Sequence, residues 1–304
     1  MPLKPVIIRS EAGIKRDGTK FDGNFYVDGQ WCRFQRGLPR KMGGYRALNN
    51  TIPEIARGMH IHNHDNYVHV TVGGAYGVST FTLNKVGNSS VIAERTPASY
   101  VYDNNALWQF DVAYDTPLDA TVILAHHASN LEDISNDENG ELYYGYDNGT
   151  APLNQVPGVT VSGGVVSLYP YAFAYGSNGF VQWSRAGYAA DFSGGDAGSA
   201  YVTGQKIVKG LPLRAGAGNA PAGLFWSLDS VIRASYVGGD PVFQFDTISS
   251  QSSILSSQSV IEYDGIYFWA GVDRFLMFNG VVKEVENSMN LNWFFDNLSF
   301  NQRH

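Results

Sequence analysis

A tryptophan recurs at a fixed interval in the second half of the chain, and this recurrence constrains the fold more than any other feature. Trp183, Trp226 and Trp269 are 43 residues apart each time, and each follows a glycine within a short apolar run. A period of about 40 to 45 residues, with one glycine and one aromatic strand in each unit, is typical of β-propeller blades. Because a single blade cannot bury both of its faces, such units need neighbours on each side.

Weaker counterparts of this unit lie upstream at intervals of 36 to 39 residues, centred on Trp31, His69, Trp108 and Tyr144. The chain is rich in glycine (34), tyrosine (18) and phenylalanine (17), which suits short strands joined by tight turns. We therefore predict a mainly β protein, a β-propeller-like body whose four-stranded blades repeat about every 40 residues. A β-sandwich with evenly placed tryptophans is the alternative.

We divide the chain into three parts. Residues 1–50 form a basic N-terminal arm with hairpins, residues 51–287 the propeller-like body, and residues 288–304 a short helix and the chain end. Met289, Trp293 and Phe294 share one helical face, and Ser288 is a candidate cap. Residues 194–223 are predicted as a long loop, and residues 249–259 as a loop or a polar edge strand.

Positive charge is concentrated at the start of a chain whose net charge is −7. Residues 1–46 hold ten Lys or Arg and four Asp or Glu, whereas the remainder holds eleven Lys or Arg and twenty-four Asp or Glu. No Lys or Arg occurs between Arg95 and Arg185. This asymmetry indicates a basic arm on an acidic body, with chance clustering on a solvated surface as the alternative.

The chain carries none of the short motifs that mark nucleotide-binding loops, zinc proteases or serine hydrolases. We predict no catalytic residues and no cofactor, although paired glycosidase carboxylates have no motif by which to exclude them. The single cysteine, Cys32, excludes an intramolecular disulfide. No apolar stretch approaches the roughly 20 residues of a membrane span, so we expect synthesis in the cytoplasm and no membrane insertion.

Two clusters have the composition of metal sites. His60, His62 and His64 alternate and share one face of a strand, which suits a transition metal or a polar edge face with neutral imidazoles. Residues 136–141 and 147–149 are rich in oxygen ligands, but their spacing does not match an EF-hand loop and is typical of solvated turns. We predict no metal site at either.

Two segments resemble a known protein family. DGQWCRFQRGLPRKMGGYRAL, at residues 28–48, resembles the opening of phage tail proteins with a W-x-R-F-x-x-G-x-P-x-K-x-G-G pattern, and residues 262–298 are similar to a later segment of the same family. These tail-accessory proteins stabilise packaged DNA in short-tailed bacteriophages. Family members continue beyond the Phe-Phe-Asp-Asn segment, so this chain is expected to be part of a longer protein.

The resemblance implies a structural virion protein, a hexameric tail nozzle or adaptor below the portal. It would retain packaged DNA, form the channel for DNA ejection, and contact the portal-side adaptor and the distal tail proteins. Double-stranded DNA would pass without sequence recognition, and no catalytic residues are implied. A carbohydrate-binding or glycan-cleaving propeller is the alternative function, although Trp183, Trp226 and Trp269 are expected to be blade core rather than a glycan platform.

Two sets of charged residues are the candidate functional sites. We expect the basic arm, Lys15–Arg46, to form the contact of a cyclic homo-oligomer, with Arg33, Arg36, Arg40 and Lys41 facing acidic surface on a neighbour or on the adaptor. The stretch from Thr96 to Ser184 has ten acidic residues and no basic one. Because a basic lining would grip DNA, we expect part of this stretch to line the channel; an outer-surface loop is the alternative. The channel candidates are Glu132, Asp133, Asp137 and Glu138.

Overall fold

The computed structural model describes residues 10–19, 23–45, 47–48, 51–52, 54–105, 107–128, 140–159, 161–213, 220–287 and 289–299. It contains five four-stranded antiparallel sheets in a propeller arrangement, a separate two-stranded hairpin and one short helix near the C-terminus. The predicted fold class, a mainly β propeller with four-stranded blades, is confirmed.

In every blade the four strands follow one another in chain order and pair with their immediate neighbours. The N-terminal hairpin consists of β1 (Cys32–Gln35) and β2 (Leu38–Lys41). The first blade consists of β3 (Gly58–His64), β4 (Tyr67–Gly73), β5 (Val78–Leu83) and β6 (Ala93–Glu94). The second consists of β7 (Leu107–Asp115), β8 (Ala120–Ala128), β9 (Leu142–Tyr146) and β10 (Asn154–Gln155). The third consists of β11 (Gly164–Leu168), β12 (Tyr171–Tyr175), β13 (Phe180–Trp183) and β14 (Gly198–Tyr201). The strands of the last two blades are β15 (Ile207–Pro212), β16 (Ala222–Ser227), β17 (Val231–Tyr236) and β18 (Phe243–Ser249); and β19 (Val260–Tyr263), β20 (Ile266–Ala270), β21 (Phe275–Phe278) and β22 (Val282–Glu284). A 3₁₀ turn, Ser177–Gly179, precedes β13, and the helix α1 spans Leu291–Asp296.

The core lies in the seams between consecutive blades, where the apolar faces of neighbouring sheets pack against each other. The seam between the third and fourth blades is aromatic: Phe173 is 4.9 Å from Phe243 and 5.8 Å from Phe225, measured between ring centroids. Trp226 and Trp269 fill the next seam with their rings 5.7 Å apart. The regular spacing of aromatic residues in the sequence therefore reflects seam packing.

The three evenly spaced tryptophans are buried, but they are not all equivalent. Trp226 and Trp269 lie on the second strands of the fourth and fifth blades, whereas Trp183 lies on the third strand of the third blade. Among the weaker counterparts, Trp108 and Tyr144 fall on two strands of one blade. The expectation of equivalent positions is wrong for these residues, because connections of unequal length shift the strands relative to the spacing.

Residues 194–223 do not form the predicted long loop. They contain β14 and β15 and enter β16, with residues 214–219 outside the described part of the chain. Glycine and alanine suit this stretch because neighbouring strands approach closely there: a Cβ atom added at Gly210 would lie 2.8 Å from a methyl carbon of Val166 and 2.9 Å from the ring of Tyr175. The small residues therefore serve strand packing.

The first strands of the first four blades contact one another in chain order, and one buried side chain joins three of these blades. From β7, the Gln109 Nε2 group donates to the carbonyl oxygens of Gly163 and of Val208, the latter at 3.2 Å, and Gln109 Oε1 accepts a hydrogen bond of 3.1 Å from the Tyr175 hydroxyl. One amide thus joins the second, third and fourth blades. A cavity of about 10 Å³ remains beside it, which is about the space of one water molecule or less.

Candidate functional site

The basic residues of the predicted assembly contact lie on the β1–β2 hairpin. Its turn is Arg36-Gly37, with φ angles of +53° and +77°, as a two-residue type I′ hairpin turn requires. Glycine adopts this conformation at no steric cost. Across the strands Arg33 pairs with Arg40, and Cys32 pairs with Lys41. Arg33 and Arg40 therefore share one face, Lys41 lies on the other, and Arg36 lies at the tip.

These four cations remain unpaired within the described residues. Arg33, Arg36, Arg40 and Lys41 are all exposed, and none of them forms an ion pair or a side-chain hydrogen bond within the part of the chain that the structure describes. Like charges directly opposite each other destabilise an antiparallel pair, so the Arg33–Arg40 pair costs the isolated hairpin free energy. An anionic surface placed against this face would remove that repulsion.

Large apolar side chains surround the same charges. Trp31 is 64% exposed, Leu38 57% and Tyr45 79%, and the Trp31 and Tyr45 rings meet edge to face at 5.8 Å. An isolated two-stranded hairpin is marginally stable in water, and exposed aromatic and arginine side chains together are typical of protein interfaces. The hairpin thus has the composition of a contact element.

The hairpin is anchored to the far end of the chain. On its inner side Phe34 packs 5.7 Å from Tyr26, whose carbonyl accepts from the Lys15 amide at 2.8 Å. Arg16 donates to Asp28 at 2.6 Å and stacks over the Trp293 ring at 5.1 Å. The helix α1 packs in turn against Phe275 of the fifth blade. These contacts hold the hairpin beside that blade.

The four channel candidates Glu132, Asp133, Asp137 and Glu138 lie outside the described residues. Other acidic residues of the same stretch are buried in the propeller. Asp115 and Asp147 are 4% and 3% exposed, and Asp111 accepts from the Ser167 amide at 2.7 Å within a seam. These three carboxylates have structural partners inside the propeller. Part of the acidic excess in the sequence is therefore buried in the propeller and does not contribute carboxylates to the surface.

The alternating histidines share one face, as predicted, and that face packs into the seam between the first and second blades. The His62 ring stacks on His69 of the neighbouring strand at 5.1 Å and lies 5.5 Å from His60. His64 Nδ1 is 2.8 Å from Asp147 Oδ2, and His62 Nε2 is 3.6 Å from the same oxygen. The histidine face of the edge strand β3 thus lies in an interior seam, where the Asp147 carboxylate contacts His62 and His64.

Burial and neighbouring charge divide the histidines into two classes. Burial lowers the pKa of His60 to about 4, with the positive charges of His62 and Lys209 adding to the effect. Burial also lowers the pKa values of His62 and His69. The hydrogen bond to Asp147 raises the pKa of the more exposed His64. At neutral pH the inner imidazoles of this seam are therefore uncharged.

The same seam holds a buried arginine that sequence patterns did not indicate. Arg95 is 1% exposed, and it donates to the carbonyls of Ala151 at 3.1 Å and Tyr146 at 2.8 Å. Burial lowers its pKa to about 10. Within the described chain no hydrogen-bond partner is present for Arg95 Nη1, His60 Nε2, His69 Nδ1 or either ring nitrogen of His62.

No group of three or more His, Cys, Asp or Glu among the described residues has an arrangement that could hold a metal ion. The described part of the chain also contains no helix long and apolar enough to cross a membrane. In comparisons with known proteins, no family model and no curated protein matches the chain.

Proposed function

We propose that this chain is a structural virion protein of a short-tailed phage tail, a nozzle or adaptor subunit that assembles into a ring through its basic hairpin. The observation that carries the proposal is the hairpin itself, with four exposed cations that have no partner in the described chain and a border of exposed Trp31, Leu38 and Tyr45. A rigid, anchored element with this composition is suited to a subunit contact.

The residues of the tail-protein pattern are also the residues that form the hairpin. Gly37 supplies the turn, and Phe34 packs against Tyr26. Trp31 opens the hairpin: its carbonyl accepts from the Met42 amide at 2.8 Å. The pattern therefore specifies a particular projecting structure, which supports a common use for it in the family that the sequence resembles.

The hydrogen bonds of Gln109 add a geometric argument. They join the second, third and fourth blades, so these blades leave no opening for a DNA duplex between them. A channel for DNA has to lie between several copies, and heterologous contacts around a rotation axis produce such rings. The proposal of a hexamer follows the resemblance, and the propellers would form its wall.

Charge reversal of the hairpin tests this function. Replacing Arg33, Arg36, Arg40 and Lys41 together with Glu should abolish or strongly weaken the ring, and the wild-type ring should loosen as salt screens the contact. Light scattering after size exclusion and negative-stain imaging report the ring. The control reverses two exposed lysines on the blades, Lys85 and Lys283. A hairpin variant that forms the wild-type ring, or a wild-type protein that is monomeric at assembly concentrations, would contradict the proposal.

A further inference from the structure

The end of the propeller at which the first strands begin has a surface cleft between the first and second blades. Its lining comprises Glu54, Ile55, Arg57, Ala75, Tyr76, Tyr102 and Asn104, and its volume is about 280 Å³. Neither the predicted assembly contact nor the predicted channel residues belong to this cleft. It combines aromatic walls with a carboxylate, an amide and a guanidinium, which together suit a small polar ligand.

Two tyrosines form the walls of the cleft. Tyr76 and Tyr102 are 69% and 54% exposed, their ring centroids are 4.9 Å apart, and their planes meet at 52°. The rings therefore form an open V rather than a closed stack, and each presents a face to solvent. Such amphipathic rings contribute apolar contact area while their hydroxyls remain available for hydrogen bonds.

The loop that carries Tyr76 is held rigidly. Trp108 Nε1 donates to the Gly74 carbonyl at 2.9 Å, the Tyr100 hydroxyl donates to the Ala75 carbonyl at 3.0 Å, and the Gly74 amide donates to the Gly77 carbonyl at 2.8 Å. The Asp103 amide donates to the Ala75 carbonyl at 3.2 Å, which ties the Tyr102 segment to the same loop. A rigid loop that exposes aromatic rings is pre-organised for binding.

Polar groups line the same cleft. Glu54 Oε2 accepts a hydrogen bond of 2.8 Å from the Tyr76 amide, and the carboxylate packs against Gly74, where an added Cβ atom would lie 2.3 Å from its carboxyl carbon and would displace it. Arg57 Nη2 donates to Asn104 Oδ1 at 3.3 Å, which orients the guanidinium and the amide along one side. The carboxylate and the Arg57–Asn104 pair thus offer acceptors and donors at fixed positions.

We propose that this cleft binds a neutral saccharide, with a pyranose ring packed against the tyrosines. The C–H face of a pyranose is apolar and fits an aromatic wall, whereas its hydroxyl groups both donate and accept hydrogen bonds and so match Glu54, Arg57 and Asn104. A phosphate-rich ligand is disfavoured because Glu54 lies in the cleft and Asp103 lies next to it. This saccharide site is independent of the proposed role in assembly.

The test uses the full chain and three neutral hexasaccharides, cellohexaose, maltohexaose and chitohexaose. Saturation-transfer NMR should detect at least one of them at millimolar concentration, and calorimetry should give its Kd. Tyr76→Ala and Tyr102→Ala should each weaken this binding at least tenfold. Tyr263→Ala, which removes a tyrosine that is 74% exposed on the fifth blade, should leave it unchanged, and the ring-forming ability of all three variants should match the wild type.

Three results would overturn the proposal. The first is the absence of binding to all three hexasaccharides at 10 mM. The second is binding that persists at wild-type strength in Tyr76→Ala and Tyr102→Ala, which would place the sugar elsewhere. The third is preferential binding of a single-stranded dodecathymidylate that is lost in the same variants, because stacked bases would then be the natural occupants of the aromatic walls. Both tyrosine substitutions are at exposed positions, so circular dichroism should show an unchanged fold.

Discussion

The carboxylate of Asp17 caps a helix that contains Trp293, although 276 residues separate the two. Asp17 Oδ1 accepts a hydrogen bond of 2.7 Å from the Trp293 amide, and Oδ2 accepts one of 3.0 Å from the Asn292 amide. Asn290 occupies the N-cap position without forming a side-chain cap of its own. A residue from the N-terminal segment therefore satisfies amide groups that a helix leaves without internal partners.

Replacing Asp17 with Ala should lower the free energy of unfolding by about 1 kcal/mol, because an N-terminal cap and a favourable charge near the helix dipole are both lost. Hydrogen exchange at the Asn292 and Trp293 amides should accelerate. Protease cleavage should increase in the N-terminal segment around Asp17 and in the helix, because the contact between them is lost. Glu11→Ala, in the same segment, is the control. Unchanged exchange at the two amides in Asp17→Ala would show that water replaces the cap without loss.

The histidine seam should make the protein less stable in acid. The folded-state pKa values of His60, His62 and His69 are lowered, so the unfolded chain binds protons more readily. Their contribution to stability is present above the unfolded value of 6.5 and is lost as the pH falls towards about 4. His60→Gln should remove up to about 2 kcal/mol of that loss, measured as the difference in urea unfolding free energy between pH 7 and pH 4.5.

His64 provides a control of opposite sign for the same seam. The hydrogen bond to Asp147 raises the pKa of His64. Its contribution to the free energy of unfolding is therefore present below pH 6.5, the pKa in the unfolded chain, and is lost as the pH rises through the raised pKa of the folded state. His64→Gln should therefore make the acid loss of stability steeper, whereas His60→Gln should make it shallower. If both variants follow the wild-type pH profile, the seam does not govern acid stability.

Gln109 should be critical for stability because its amide satisfies groups in three blades. Gln109→Leu keeps the volume but leaves the buried carbonyls of Gly163 and Val208 without this donor. Each unsatisfied buried group costs about 1 to 3 kcal/mol, so the variant should lose about 2 to 4 kcal/mol in chemical denaturation. Gln258→Ala, an exposed position, serves as the comparison and should stay within about 0.5 kcal/mol of the wild type.

Trp226 and Trp269 should respond alike to truncation. Both have nearly complete burial, at 0% and 2% exposure, and either alanine substitution should cost about 3 to 5 kcal/mol. Trp31→Ala, at 64% exposure, should have little effect on the free energy of unfolding measured by denaturant titration. A small cost at Trp226 would mean that the seam rearranges to fill the space.

The recurrent aromatic residues predicted the propeller because each seam needs large side chains, and the same strand of each blade is the simplest source of them. Trp226 and Trp269 satisfy this requirement, whereas Trp183 reaches its seam from a different strand. Strand alternation likewise placed His60, His62 and His64 on one face, but nothing in the local sequence indicated that the face was interior. That depends on Asp147, which lies 83 residues from His64.

The remaining site features depend on contacts between distant segments. Asp17 has no local partner that would mark it as a helix cap, since the amides it binds come from the other end of the chain. Tyr76 and Tyr102 lie in loops, where neither the two-residue nor the blade-length period applies. The hairpin differs because its turn, pairing and charges lie within one short run of sequence, Trp31–Lys41, and could be predicted there.

The hydrogen bonds of the Gln109 amide hold the second, third and fourth blades of each propeller together as one rigid block. In the ring that we propose, the bore would be the space left between copies, so its diameter would depend on how many copies assemble and how far each one tilts. Substitutions at Gln109 would loosen the individual block and leave the bore unchanged. Substitutions in the hairpin would alter the tilt, and with it the width available to a passing polymer.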